Sequence, residues 1–124
     1  MTEQLRLHRV DVAFEEGFGF VHRMAVRKQI EGQIHWSYNE AMCQENTVQD
    51  GRCVERHLDT WPISRMNECP KEINISHVKT DFWIYGAGEQ AIPQIPPGLC
   101  NAVFKITGKR IRSLPLKNQD LSWG

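Results

Sequence analysis

The sequence lacks what would mark a membrane, a metal cluster or a nucleic-acid surface. Its 15 Lys and Arg are matched by 15 Asp and Glu, so the net charge is zero. Without a global field to attract nucleic acid or an anionic membrane, neither is expected as a partner. No apolar run approaches a membrane span. The opening MTEQLRLHRV has no apolar core of a secretory signal, and the expected location is the cytoplasm. Cys43, Cys53, Cys69 and Cys100 show no CxxC spacing, which removes zinc-ribbon and iron–sulfur patterns. They are expected to be free thiols, mostly packing residues. The histidines are scattered without an HExxH pair, so no metal site is expected. There is no internal repeat, low-complexity tract or linker.

What remains is a chain of 124 residues, 40% hydrophobic and 24% charged, enough for one soluble domain with a modest core. Leu5–Phe14 alternates, with Val10, Val12 and Phe14 on one face, and reads as a strand. From His22 to about Cys43, Val26, Ile30, Ile34, Ser37/Tyr38 and Ala41 form a helical stripe. Asp50-Gly51 is a type I′ hairpin dipeptide between Thr47–Gln49 and Arg52–Val54. Asp59–Pro70 has two prolines and no period, and is expected to be a long ordered loop. Glu72–Val78 alternates again, with Ile73, Ile75 and His77 sharing a face. Pro97–Thr107 is expected to be a helix stopped by Gly108, and Arg110–Leu114 a last short strand. The expected order is β-α-β-β-β-α-β, an α+β domain over residues 1–116 with a mostly antiparallel sheet covered by two helices. Residues 117–124 are expected to be a polar tail carrying Trp123.

The stretch YGAGEQAIPQIPPGLCNAVF, Tyr85–Phe104, stands out. Gly86 and Gly88 precede Glu89, which suggests backbone that bends tightly or approaches a partner closely. Prolines at 93, 96 and 97 stiffen the loop up to a helix start. A helix start after a rigid loop is a usual place for a working carboxylate, although acids in Gly/Pro loops are more often solvated turn residues.

The motifs VRKQIEG (Val26–Gly32), the Asp-Gly hairpin, DTWPISRMNECP (Asp59–Pro70), GAGEQAIPQIPPGLCNAVF (Gly86–Phe104) and TGKRIRSLPL (Thr107–Leu116) occur in one collinear order. Together they resemble the C-terminal end of the molybdopterin-binding large subunit of the molybdenum hydroxylases, the xanthine dehydrogenase and aldehyde oxidase family, and most of all its isoquinoline 1-oxidoreductase type. The resemblance implies an oxidoreductase ancestry. It also implies that Glu89 is the general base, activating the nucleophile that attacks an electron-poor carbon, with its pKa set by burial against the helix start. Gln29 matches the glutamine of the family's QIEG, near the molybdopterin, and Gly86 and Gly88 match the cofactor-facing glycines.

The chain departs from the family pattern at several places. Gln90 stands in place of a proline, which predicts a less rigid loop. Val21-His22 replaces an Asn-Pro. Gln33 stands in place of a second glycine, where its side chain is expected to intrude on close backbone packing. Ser37, Tyr38, Asn39 and Glu40 occupy positions that tend to be small and apolar. The several hundred residues that would hold the pterin and the iron–sulfur subunit are not in this sequence. The chain is thus expected to be a freestanding piece: a separate small subunit, a degenerate gene fragment or an excised domain. It would use molybdopterin only with a partner large subunit, and its exposed former interior would drive homo-oligomerisation. The alternative is a non-catalytic, oligomeric interaction module.

Overall fold

A computed structural model describes residues 5–121; Trp123 lies outside them. The first strand, β1, is Arg9–Glu15, and β4 is Glu72–Val78. They pair in parallel, with Val10 opposite Ile73, Val12 opposite Ile75 and Phe14 opposite His77. Because side chains alternate faces, this register places the two apolar rows together. Polar groups fill the other face. Arg9 forks onto Asp11 (2.8 Å) and approaches Glu72 (3.6 Å), while the Asn74 amide donates to Asp11 at 3.1 Å.

Between these strands runs α1, Arg23–Cys43, and the hairpin of β2 (Val48–Gln49) and β3 (Arg52–Cys53). The chain leaves β1, crosses through α1 and returns to pair in the same direction, as parallel pairing requires. The α+β class holds, but the expected mostly antiparallel sheet is corrected: the long pair is parallel and only the short hairpin is antiparallel. Half-solvated alternation is the usual mark of antiparallel strands, yet it looks the same in either direction. The hairpin forms where expected, with Asp50 at φ 50° and Gly51 at φ 72°, both left-handed as a type I′ turn demands.

The stripe on α1 is the core. Ile30, Ile34 and Ala41 are wholly buried, Tyr38 nearly so, and Val26 is buried at the edge of the stripe. Each buried Ile or Val contributes roughly 1.5–3 kcal/mol. Burial pushes the Tyr38 phenol above its ordinary range, against a smaller opposing hydrogen bond with the backbone of Leu7. At the start of α1 the His22 Nδ1 accepts from the Ala25 amide (3.1 Å), an N-cap made by an imidazole.

A buried carboxylate anchors the same end. Glu16, in the turn after β1, is 1% exposed. Its Oε1 accepts from Arg23 at 2.9 Å, and its Oε2 lies 3.2 Å from Nδ1 of His77 on β4. Beside it Gly17 sits at φ 62°, with the carbonyl oxygens of Phe82 and Trp83 less than 3 Å from where a Cβ would stand. No larger residue fits there.

The second helix, α2, is Ile95–Thr107, two residues longer at its start than expected, with Pro96 in its first turn. Leu99 and Val103 are buried, but Ile106 is 58% exposed. Gly108 closes it at φ 73°, its N–H donating to the Phe104 carbonyl. The strand expected at Arg110–Leu114 is absent. Arg110 instead stacks its guanidinium 3.6 Å above the Phe104 ring, and Ser113 accepts from the Gln119 side chain. The chain then makes a 3-10 turn at Leu116–Asn118, burying Leu116 and, beyond it, Leu121. Among the described residues no helix is long and apolar enough to cross a membrane.

Candidate functional site

Helical spacing builds one wall of a cleft. Gln29, Gln33 and Trp36 lie at i, i+4 and i+7 on α1 and so share a face, with Lys28 and Gly32 beside them. The loop ahead of α2 supplies the facing wall, Gly88, Glu89 and Ile92, and the cleft between them has a volume of about 440 Å³. Gln29 and Glu89, 60 apart in sequence number, therefore meet at one opening. Both are exposed. Burial against the helix start is thus corrected: the Glu89 carboxylate faces outward at the rim.

The loop itself is tied down by side-chain amides. Gln33 is 5% exposed. Its Nε2 donates to the Ala87 carbonyl (2.5 Å) and its Oε1 accepts from the Ala91 amide (2.8 Å). One turn later on α1 the Ser37 hydroxyl donates to the Ile92 carbonyl at 2.5 Å. Gln90 closes the loop from within: its Nε2 donates to the Gly86 carbonyl at 2.9 Å, and its Oε1 accepts from the Glu89 amide at 3.2 Å. The Ile92 amide returns to the Glu89 carbonyl, completing a turn. Two expectations are corrected here. Gln33 does not intrude, because both ends of its amide are taken up by the loop's own backbone. Gln90 does not leave the loop loose, because its amide does by hydrogen bonding what a proline ring would do by covalent restraint.

The two glycines behave differently. Gly86 sits at φ 90°, which a side chain rarely adopts. Gly88 has no such φ, and a Cβ there would meet nothing within 4 Å. Gly88 lines the Glu89 cleft, whereas Gly86 lines a separate groove of about 650 Å³ between β1 and α2. The structure thus gathers Gln29, Gly88 and Glu89 and sets Gly86 on the other side of the loop. That larger groove is walled by Leu7, Val10, Val12, Ile95 and Leu99 and is mainly apolar.

Charge around the cleft is largely committed. Glu31 accepts from Lys28 and Arg27, each at 2.7 Å. The Lys28 bond first and the Arg27 bond second hold the Glu31 carboxyl below its usual range. The Trp36 indole is exposed and its Nε1 is fixed to Glu40 at 2.5 Å. Sequence reasoning singled out Gln33 only as a departure from the family pattern, and missed Trp36 and Lys28 as cleft residues. Their spacing from Gln29 was the available signal. Asn39, also buried, serves another loop: its Oδ1 accepts from the amide (2.6 Å) and hydroxyl (2.7 Å) of Ser64.

No protein-family model matches the chain. Over 92 residues, 74% of this chain, it is 33% identical to the isoquinoline 1-oxidoreductase subunit beta of Brevundimonas diminuta. Over 98 residues it is 26% identical to the membrane-bound aldehyde dehydrogenase [pyrroloquinoline-quinone] of Gluconacetobacter polyoxogenes. In each case it spans 12% of the relative's length. In fold it is similar to quinoline 2-oxidoreductase from Pseudomonas putida 86, with a TM-score of 0.78 and 24% identity over 90% of this chain and 15% of that one. The Cu,Mo-CO dehydrogenase superposes with a TM-score of 0.71 and 20% identity over 86% of this chain and 14% of that one.

Proposed function

Given that the chain belongs to the molybdenum hydroxylase family, as its sequence relatives and its fold agree, we propose that it supplies the proton acceptor of a hydroxylation centre. The rest of that centre would come from a partner large subunit. The observation that carries this is the meeting of Gln29 and Glu89 at one cleft, on a loop whose backbone is held from both sides.

The cleft residues fit the edge of a molybdopterin. Gln29 offers an amide donor and acceptor, and Gly88 leaves room for close approach. They amount to one wall of such a site, and the remaining contacts belong to the partner. When bound, the molybdenum cofactor supplies the oxidative hydroxylation of an aldehyde or N-heterocycle. Glu89 accepts the proton that the attacking nucleophile gives up. Its exposure in the free chain leaves it open to that nucleophile. Gln29 orients the cofactor edge against it.

Purification from the host with associated chains, followed by metal analysis, tests this. Near-stoichiometric molybdenum in the complex supports it. A chain recovered alone and metal-free sinks it. In the complex, Glu89→Gln should keep molybdenum and lose turnover by about 100-fold or more.

A second reading, a non-catalytic interaction module, draws on the buried polar side chains of α1. Gln33, Ser37 and Asn39 each stitch a loop of this same chain, which gives the piece internal support without a large subunit. Recovery of the chain as a stable, metal-free homo-oligomer favours it.

A further inference from the structure

We propose that Gln33 is a positioning residue for Glu89, holding the loop by both ends of its amide so that the carboxylate stays at the cleft mouth. This rests on the reading of Glu89 as the working carboxylate. The two loop atoms it binds, the Ala87 carbonyl and the Ala91 amide, stand two residues before and two residues after Glu89. The bracket is therefore centred on the acid. One bond needs a donor and the other an acceptor on the same short head group, which a primary amide provides. Methionine and an ionised carboxylate lack one or both.

Burial gives the bracket its force. With Gln33 5% exposed, neither loop atom can exchange its partner for bulk water without opening the loop. The segment it restrains has glycines at 86 and 88 and would otherwise sample many conformations. Ser37, on the next turn, secures Ile92, and Gln90 ties the loop's start to its centre. Glu89 thus has a fixed backbone and an exposed carboxylate in the chain by itself. The proton acceptor is preorganised before any partner docks, and docking need not order it.

The test uses the full chain alone, so it is independent of turnover. Amide exchange protection is measured across residues 86–92 for the wild type, Gln33→Met and Gln33→Glu. Gln33→Met preserves length and removes both bonds. It should cut protection of the Glu89 loop by roughly 10- to 30-fold while the α1 core amides keep theirs. Gln33→Glu separates hydrogen bonding from packing. Ionised, it keeps the Ala91 arm and loses the Ala87 arm. Protonated, its O–H can donate to Ala87 again, so loop protection should recover as pH falls through the introduced carboxyl's pKa, which burial raises above the ordinary range, after correction for intrinsic exchange. Lys28 and Glu89 are the charged side chains sharing that cleft with Gln33, so the pH series is repeated on Glu89→Gln. Loop protection within about twofold of wild type in Gln33→Met, or a Gln33→Glu loop that does not respond to pH, overturns the proposal. If Gln33→Met fails to fold, the pH response of Gln33→Glu decides. A loosened loop in a complex where Glu89→Gln still turns over leaves the bracket standing and removes Glu89 as the base.

Discussion

Single side chains carry much of the tertiary definition in this chain. Glu16 is the clearest case, a carboxylate enclosed at the ends of both long strands and at the start of α1, with a cation and an imidazole facing its two oxygens. Removing the cation strands the anion. Arg23→Met should cost about 1–3 kcal/mol, read from urea unfolding. A loss under ~0.5 kcal/mol would mean the His77 side carries the site. Glu31 makes a milder and pH-dependent contribution. Its folded-state pKa is depressed by Lys28 and then Arg27, so the stability it adds is present above the unfolded carboxyl pKa and lost as pH falls through the folded one. Glu31→Gln should cost about 0.5 kcal/mol near neutral pH, since both cations are largely exposed. The difference from wild type should shrink once pH falls below the ordinary glutamate range of about 4.3 and vanish when Glu31 is protonated in the folded state too. A gap that persists at lower pH would point to packing instead.

At the scale of elements, most of the chain could be read from period and punctuation. The α1 stripe fell on Val26, Ile30, Ile34 and Tyr38 because one buried face imposes its spacing on the sequence. Glu72–Val78 and the Asp-Gly turn were equally plain. Strand direction was not legible, because alternation records which face is buried and not which way the neighbour runs. Arg110–Leu114 is short enough to read as a strand, but its Arg110 is taken up by the Phe104 ring. The loop brackets were hidden for a different reason. Gln33, Ser37 and Asn39 are polar residues on a buried face, and pattern alone cannot say which distant carbonyl will meet them. The cap on α2 can be checked directly. Gly108 sits at φ 73°, so Gly108→Ala should cost about 1 kcal/mol, measured as a lowered thermal midpoint. In the core, Ile34→Ala should cost about 2–5 kcal/mol, given complete burial.

For the whole molecule, the exposed apolar surface is the property to explain. Phe18, Phe82, Trp83 and Tyr85 are each more than half exposed, and Phe18 meets Trp83 edge-on with centroids 5.4 Å apart. Such a cluster favours association. We expect the isolated chain to self-associate, and Trp83→Ser to weaken that association, as followed by size-exclusion with light scattering. A clean monomer at high concentration would argue against it. Neither the cluster nor the 650 Å³ groove was visible in the sequence, since exposure depends on which neighbours are present.

The parallel ribbon has a kinetic consequence. Asp11 and Asn74, bonded across it, are 63 residues apart. Every rung must therefore close a long loop that includes α1 and the hairpin, and no local turn can template it. Folding should be slow for a chain of this size, with β1–β4 pairing late in the sequence of events. Lengthening the Asp50-Gly51 turn should slow it only slightly, because loop-closure entropy grows with the logarithm of length.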